Sequence, residues 1–133
     1  MPETFRDVTD AELAVLQALW DRGPLTRGQV RDILYPGGNA VHYGTVQKLL
    51  ERLEAKGCVR RRRVSAGLIF TPTVSRDELI HRRLLDMAEK LCGGALTPLL
   101  MNLVQAKPLT AAELDELRAL VDGMRRQAKG KHR

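Results

Sequence analysis

Four times in this chain a Thr or Ser stands three residues ahead of a Glu or Gln, and each time an apolar stripe of helical period follows. The four are Thr9-Asp10-Ala11-Glu12, Thr26-Arg27-Gly28-Gln29, Ser75-Arg76-Asp77-Glu78 and Thr110-Ala111-Ala112-Glu113. In such a box the hydroxyl accepts the amide at the third helical position, and the Glu or Gln side chain reaches back to the cap's own amide. A chain punctuated this way is mainly helical. The first stripe is Leu13, Leu16, Leu19 and Trp20, stopped by Gly23-Pro24; the second is Val30, Ile33 and Leu34, stopped by Pro36-Gly37-Gly38-Asn39. A third helix, over 41–56, carries Val46, Leu49, Leu50 and Leu53 and ends at Gly57, a natural left-handed cap.

Past Gly57 the period changes. Cys58-Val59 leads into Arg60-Arg61-Arg62-Arg63-Val64, and Leu68-Ile69-Phe70-Thr71 follows after Ser65-Ala66-Gly67. Two short extended runs around a glycine-containing turn predict a β-hairpin, which Pro72 ends because proline cannot donate to a ladder. Helical pattern then resumes through Ile80, Leu84, Met87, Ala88 and Leu91, breaks at Gly93-Gly94, and returns briefly over 96–104 until Lys107-Pro108. The last helix carries Leu114, Leu117, Val121 and Met124.

Three helices and a hairpin followed by three more helices match a winged helix-turn-helix domain with a helical arm. The expected limits are 7–74 for the winged-helix DNA-binding domain, 75–126 for a helical dimerisation domain and 127–133 for a basic tail. The second half has little with which to build a core of its own. Stripes spaced three and four apart suit packing against a partner helix. Leu84, Met87, Leu91, Leu114, Leu117, Val121 and Met124 are therefore the expected dimer interface of a homodimer.

Function classes narrow by exclusion. The 133 residues carry a formal charge of +6, which favours a polyanionic partner without naming one. Ribosomal and membrane-surface proteins share that balance. No apolar run approaches the roughly 20 residues of a membrane span, and residues 1–7 are polar and mixed in charge, so neither membrane insertion nor a signal peptide is expected. Cys58 and Cys92 fit no metal spacing and suit a reduced, cytoplasmic setting. His42, His81 and His132 are scattered, with no catalytic arrangement visible. His81 beside Asp77 and Glu78 reads as a helix start that gathers acids for its dipole. No enzyme activity, cofactor or metal is expected.

The third helix carries the case for double-stranded DNA. Its core stripe leaves Gly44, Thr45, Gln47, Lys48, Glu51 and Arg52 on the flanks and outer face. In helix-turn-helix proteins the first residues of the second helix reach base edges in the major groove. Candidate contacts are His42, Tyr43, Gly44, Thr45, Gln47, Lys48 and Arg52. Gln47 can bond adenine bidentately, the Thr45 methyl can pack on thymine, and Lys48 and Arg52 suit phosphates. Arg60, Arg61, Arg62 and Arg63 lie one short turn further on, where a basic wing can clamp phosphates or enter the minor groove. In an alternating strand only two of them share a face.

Leu13-Ala14-Val15-Leu16-Gln17-Ala18-Leu19-Trp20, with Gly23-Pro24 and Thr26, resembles the opening of the penicillinase-repressor (BlaI/MecI/CopY) family. So does the run from His42-Tyr43-Gly44-Thr45-Val46-Gln47 through Arg52-Leu53-Glu54-Ala55-Lys56-Gly57; Leu91-Cys92-Gly93-Gly94 and Leu100-Met101-Asn102-Leu103 resemble its helical arm. The resemblance implies a homodimeric repressor that blocks transcription from inverted-repeat operators. In antibiotic-responsive members a membrane-bound zinc-protease sensor triggers cleavage in the arm, and the matching bond is Asn102–Leu103. The best-known members have Phe where Leu103 stands. Copper-responsive members end in a cysteine-rich motif, which Gln127-Ala128-Lys129-Gly130-Lys131-His132-Arg133 lacks, and Gln47 replaces a common Arg. The alternative is a small-ligand-responsive regulator of the multiple-antibiotic-resistance (MarR) type. Only 4% of residues are aromatic and little precedes the first helix, which ranks it lower.

Overall fold

The computed structural model describes residues 8–131. Asp7, at the expected start of the first domain, and His132 and Arg133 of the tail lie outside them. Six helices surround one hairpin in chain order: α1 (Asp10–Arg22), α2 (Arg27–Leu34), α3 (Ala40–Ala55), β1 (Val59–Val64), β2 (Gly67–Pro72), α4 (Arg76–Cys92), α5 (Thr97–Ala106) and α6 (Ala111–Lys131). All four capping boxes close in both directions, at 2.9–3.3 Å. The chain divides into two compact units within α4, Met1–Met87 and Ala88–Arg133.

The first unit is a winged helix. Its core joins Val15, Leu16 and Leu19 of α1, Val30 of α2, and Val46, Leu49, Leu50 and Leu53 of α3 to Val59 and Phe70 of the hairpin. Burying each such side chain is worth about 1.5–3 kcal/mol. The α3 exit is a complete Schellman turn. Gly57, at φ 76°, donates to Glu54 O at 3.0 Å, and Cys58 N donates to Leu53 O at 2.8 Å. That turn delivers the chain into β1, which pairs antiparallel with β2 from Val59↔Pro72 to Val64↔Gly67. Leu25 adds a third, one-residue strand, its N–H donating to Phe70 O (3.2 Å) and Phe70 N–H donating back to its carbonyl (2.8 Å). This bridge fastens the root of the wing to the α1–α2 connection.

Three polar ties among the described residues link its elements. The Lys56 ammonium, just past α3, sits 2.6 Å from the Glu12 carboxylate of α1. Burial by itself would raise the Glu12 carboxyl, but the hydrogen bonds from Lys56 and Thr9 outweigh it and hold it below its ordinary value. Trp20 Nε1 donates to Val74 O at 2.9 Å, and Arg76 lies over the Trp20 ring while pairing with Asp21 at 2.9 Å. With Leu79 buried as well, the start of α4 belongs to this unit, which runs past Val74 to Met87. Burial pushes the Cys58 thiol up, so this cysteine packs as a small apolar side chain.

The second unit is different in kind. Gly93 and Gly94, both at positive φ, break the chain after α4, and Gly94 N donates to Ala88 O at 2.8 Å. Among its described residues only Ala88 is buried. An open groove of about 360 Å³ between α5 and α6 is lined by Leu100, Leu103, Val104, Leu109, Leu117 and Leu120, with Glu113 and Glu116 at its edge.

Candidate nucleic-acid interface

The start of α3 is built by a fifth cap. Asn39 Oδ1 accepts from Val41 N at 3.0 Å, and His42 Nδ1 accepts from Asn39 N at 3.2 Å. His42 also stacks on Tyr35 with ring centroids 4.5 Å apart. Its imidazole thus holds the helix start, a structural task that the sequence did not reveal because the box uses Asn and His in place of Ser or Thr and Glu. Gly38 is part of the same device. An added Cβ there would fall 2.8 Å from Tyr35 O and 3.1 Å from His42 Nδ1.

Tyr43 is half-buried, with the Arg31 guanidinium of α2 5.8 Å from its ring centroid. This contact sets α2 against the first turns of α3. Thr45 Oγ1 donates to Val41 O at 3.1 Å, and Gln47 Nε2 donates to Glu51 Oε1 at 3.3 Å. Gln47 is therefore held on the helix surface by a contact that a base edge can replace. Lys48 and Arg52 are exposed. At 3.6 residues per turn, Val41, Thr45, Lys48 and Arg52 share a sector of about 60°. Val41 was absent from the residues expected to meet DNA. It is 73% exposed, and its only sequence signal is an apolar residue off the core stripe in the first turn.

Electrostatics favour an anion at this helix start. α1, α4 and α6 each carry acid in the first turn, whereas α2, α3 and α5 carry none. At α2 and α3 no carboxylate offsets the positive dipole end, although capping boxes occupy their first amides.

All four wing arginines are exposed on β1. The register pairs Arg61 with Phe70 and Arg63 with Leu68, which puts these two on the face that includes the core residues Val59 and Phe70. Arg60 and Arg62 occupy the opposite face with Thr71 and Ile69. Arg61 Nε lies 3.3 Å from Glu54 Oε2, tying the wing to the end of α3. Replacing Arg60 and Arg62 by Ala is expected to weaken binding to all duplexes alike. The log–log salt slope should fall by about 0.9 for each phosphate no longer neutralised. A salt titration by fluorescence anisotropy checks this, and an unchanged slope refutes phosphate contact by these two.

The remaining site residues lie on α4, α5 and α6. Asn102 and Leu103 are exposed within α5, with Asn102 Nδ2 donating to Pro98 O at 2.8 Å. Leu84, Met87, Leu91, Leu114, Leu117, Val121 and Met124 are all exposed, Leu91 to 75%. Ile80, Leu100 and Leu120, also exposed, extend the same apolar surfaces beyond the expected set. Among the described residues no group of His, Cys, Asp and Glu is placed to hold a metal ion, and no helix is long and apolar enough to cross a membrane.

Comparison with known proteins agrees with this architecture. The chain is 22% identical over 115 residues to the penicillinase repressor of Bacillus licheniformis, covering 86% of this chain and 89% of that protein. An uncharacterised 16.5 kDa protein of Latilactobacillus sakei is 24% identical over 121 residues, covering 91% and 82%. The solved structure of a transcriptional regulator from Thermotoga maritima shares the fold, with a TM-score of 0.51, 23% identity and coverage of 94% of this chain and 83% of its own. The penicillinase repressor family model matches residues 8–123. A helix start free of acid, a basic wing beside it and a family match along nearly the whole length make this chain a DNA-binding repressor rather than an enzyme; it belongs to the penicillinase repressor family.

Proposed function

We propose that the chain acts as a homodimer on inverted-repeat operators, with α3 in the major groove and the wing arginines on the flanking backbone. Family membership supports the repressor role, and the arm supports the dimer. The observation that carries the dimer is the exposure of apolar stripes on α4, α5 and α6, of which α5 and α6 stand in a unit whose described residues bury only Ala88. Such surfaces are stable in water when a twin covers them. The groove between α5 and α6 is a seat for a partner helix. Pairing sets two reading heads at a fixed separation, and a two-fold protein matches a two-fold DNA site.

Release of DNA by scission of Asn102–Leu103, triggered by a membrane-bound zinc-protease sensor, completes the proposal. Leu103 lines the α5–α6 groove, so a cut there divides the surface that holds the dimer. The bond lies inside a helix of ten residues, so cleavage follows local opening of α5.

Selection from random-sequence DNA by the full-length protein tests the central claim. The expected product is an inverted repeat with half-sites about one helical turn apart, bound by two subunits in light scattering. A folded monomer with no preference for palindromic over scrambled duplex overturns it.

A further inference from the structure

The outermost point of the α3 start is apolar. Val41 is 73% exposed there, and none of the described residues covers it. Beside it Thr45 turns its hydroxyl back onto the helix, donating to Val41 O at 3.1 Å. That leaves the Thr45 methyl as the feature offered to a partner.

Between them lies Gly44, in the interior of a sixteen-residue helix, where glycine is about 1 kcal/mol worse than alanine. The fold supplies no reason for it. An added Cβ at Gly44 would meet no atom within 4 Å, whereas one at Gly38 would collide with Tyr35 and His42. Gly38 is required by the cap. Gly44 leaves open space in which a group from outside the chain can approach the helix closely. Lys48 and Arg52, on the same side as Val41 and Thr45, make that partner an anion with an apolar element. In duplex DNA the 5-methyl group of thymine is the apolar element of the major groove.

We infer that Val41, Gly44 and Thr45 form a shallow seat for a thymine methyl, so that this protein reads thymine by shape as well as by hydrogen bonds. The inference rests on the DNA-binding role proposed above.

The probe is the duplex enriched from random DNA by the full-length protein, with each thymine replaced in turn by deoxyuridine. At one or two positions per half-site, loss of the methyl should weaken wild-type binding about fourfold. Val41→Ala should weaken binding to the thymine duplex by a similar factor and be almost insensitive to the deoxyuridine change. Gly44→Ala should raise the thermal midpoint by about 3–6 °C, because alanine favours the helix, yet weaken operator binding about tenfold or more. Lys48→Ala should weaken all duplexes equally and leave the deoxyuridine effect intact.

Gly44→Ala binding as wild type, indifference to deoxyuridine at every thymine, or half-sites without thymine each overturn the seat while leaving the repressor role standing. Failure to enrich any duplex removes the repressor role and this inference together.

Discussion

Replacing Leu117 and Val121 together by Asp is expected to convert the protein to monomers and to weaken binding to a palindromic duplex about 10²–10⁴-fold. Both side chains are exposed on α6, on the stripe shared with Leu114 and Met124. Neither belongs to the winged-helix core, so the reading head keeps its fold. The size of the effect follows from chelation. Once one head is bound, the second binds from a high effective concentration, and this advantage vanishes when the heads separate. A duplex with a single half-site should bind both proteins alike. Sedimentation equilibrium and gel-shift titration read the two quantities. A variant that remains dimeric with unchanged palindrome affinity removes α6 from the interface.

Lys56→Met should destabilise the winged helix by about 3 kcal/mol, a shift of roughly 10–20 °C in thermal midpoint. The Glu12 side chain is 1% exposed, and among the described residues its Oε2 has no hydrogen-bond partner. Removing the ammonium leaves a buried carboxylate held only by the Thr9 cap. Glu12→Gln should cost less, because the amide carries no charge to bury and the Lys56 side chain is 23% exposed. The pH dependence separates the two explanations of any loss. In wild type the Glu12 carboxyl is held below its ordinary value of 4.5, so its contribution is full above that pH and is lost as pH falls through the lowered value. In Lys56→Met only the Thr9 hydrogen bonds still oppose burial, so the carboxyl lies higher than in wild type. The folded variant then takes up the proton more readily than folded wild type, and its deficit narrows as pH falls. The deficit measured by thermal unfolding should therefore be smaller at pH 4.5 than at pH 7. A deficit independent of pH would assign the loss to packing alone.

The two substitutions probe different parts of one design. Glu12 and Lys56 join α1 to the end of α3, which holds α3 within its unit.

Much of this fold is written locally. Four capping boxes, the left-handed Gly57 and the arginine run before a glycine turn each act through residues three to ten apart, so the helices, the hairpin and the basic wing were legible without coordinates. The same locality explains the exposed arm: its stripes of three or four apolar residues per helix have no second face to bury. What tertiary structure alone decided were pairings between residues distant in sequence and groups whose task depends on them. The Leu25–Phe70 bridge is one residue long and has no pattern to detect. Lys56 meets Glu12 across 44 positions, and Trp20 meets Val74 across 54. His42 is a polar residue on a candidate reading helix until the backbone turns it toward Asn39 and Tyr35. Val41 is an ordinary apolar residue until the packing of 46, 49, 50 and 53 fixes which side of α3 faces inward. Sequence specifies what a backbone segment prefers; which side chains are left over for a partner is settled only when all the segments have packed.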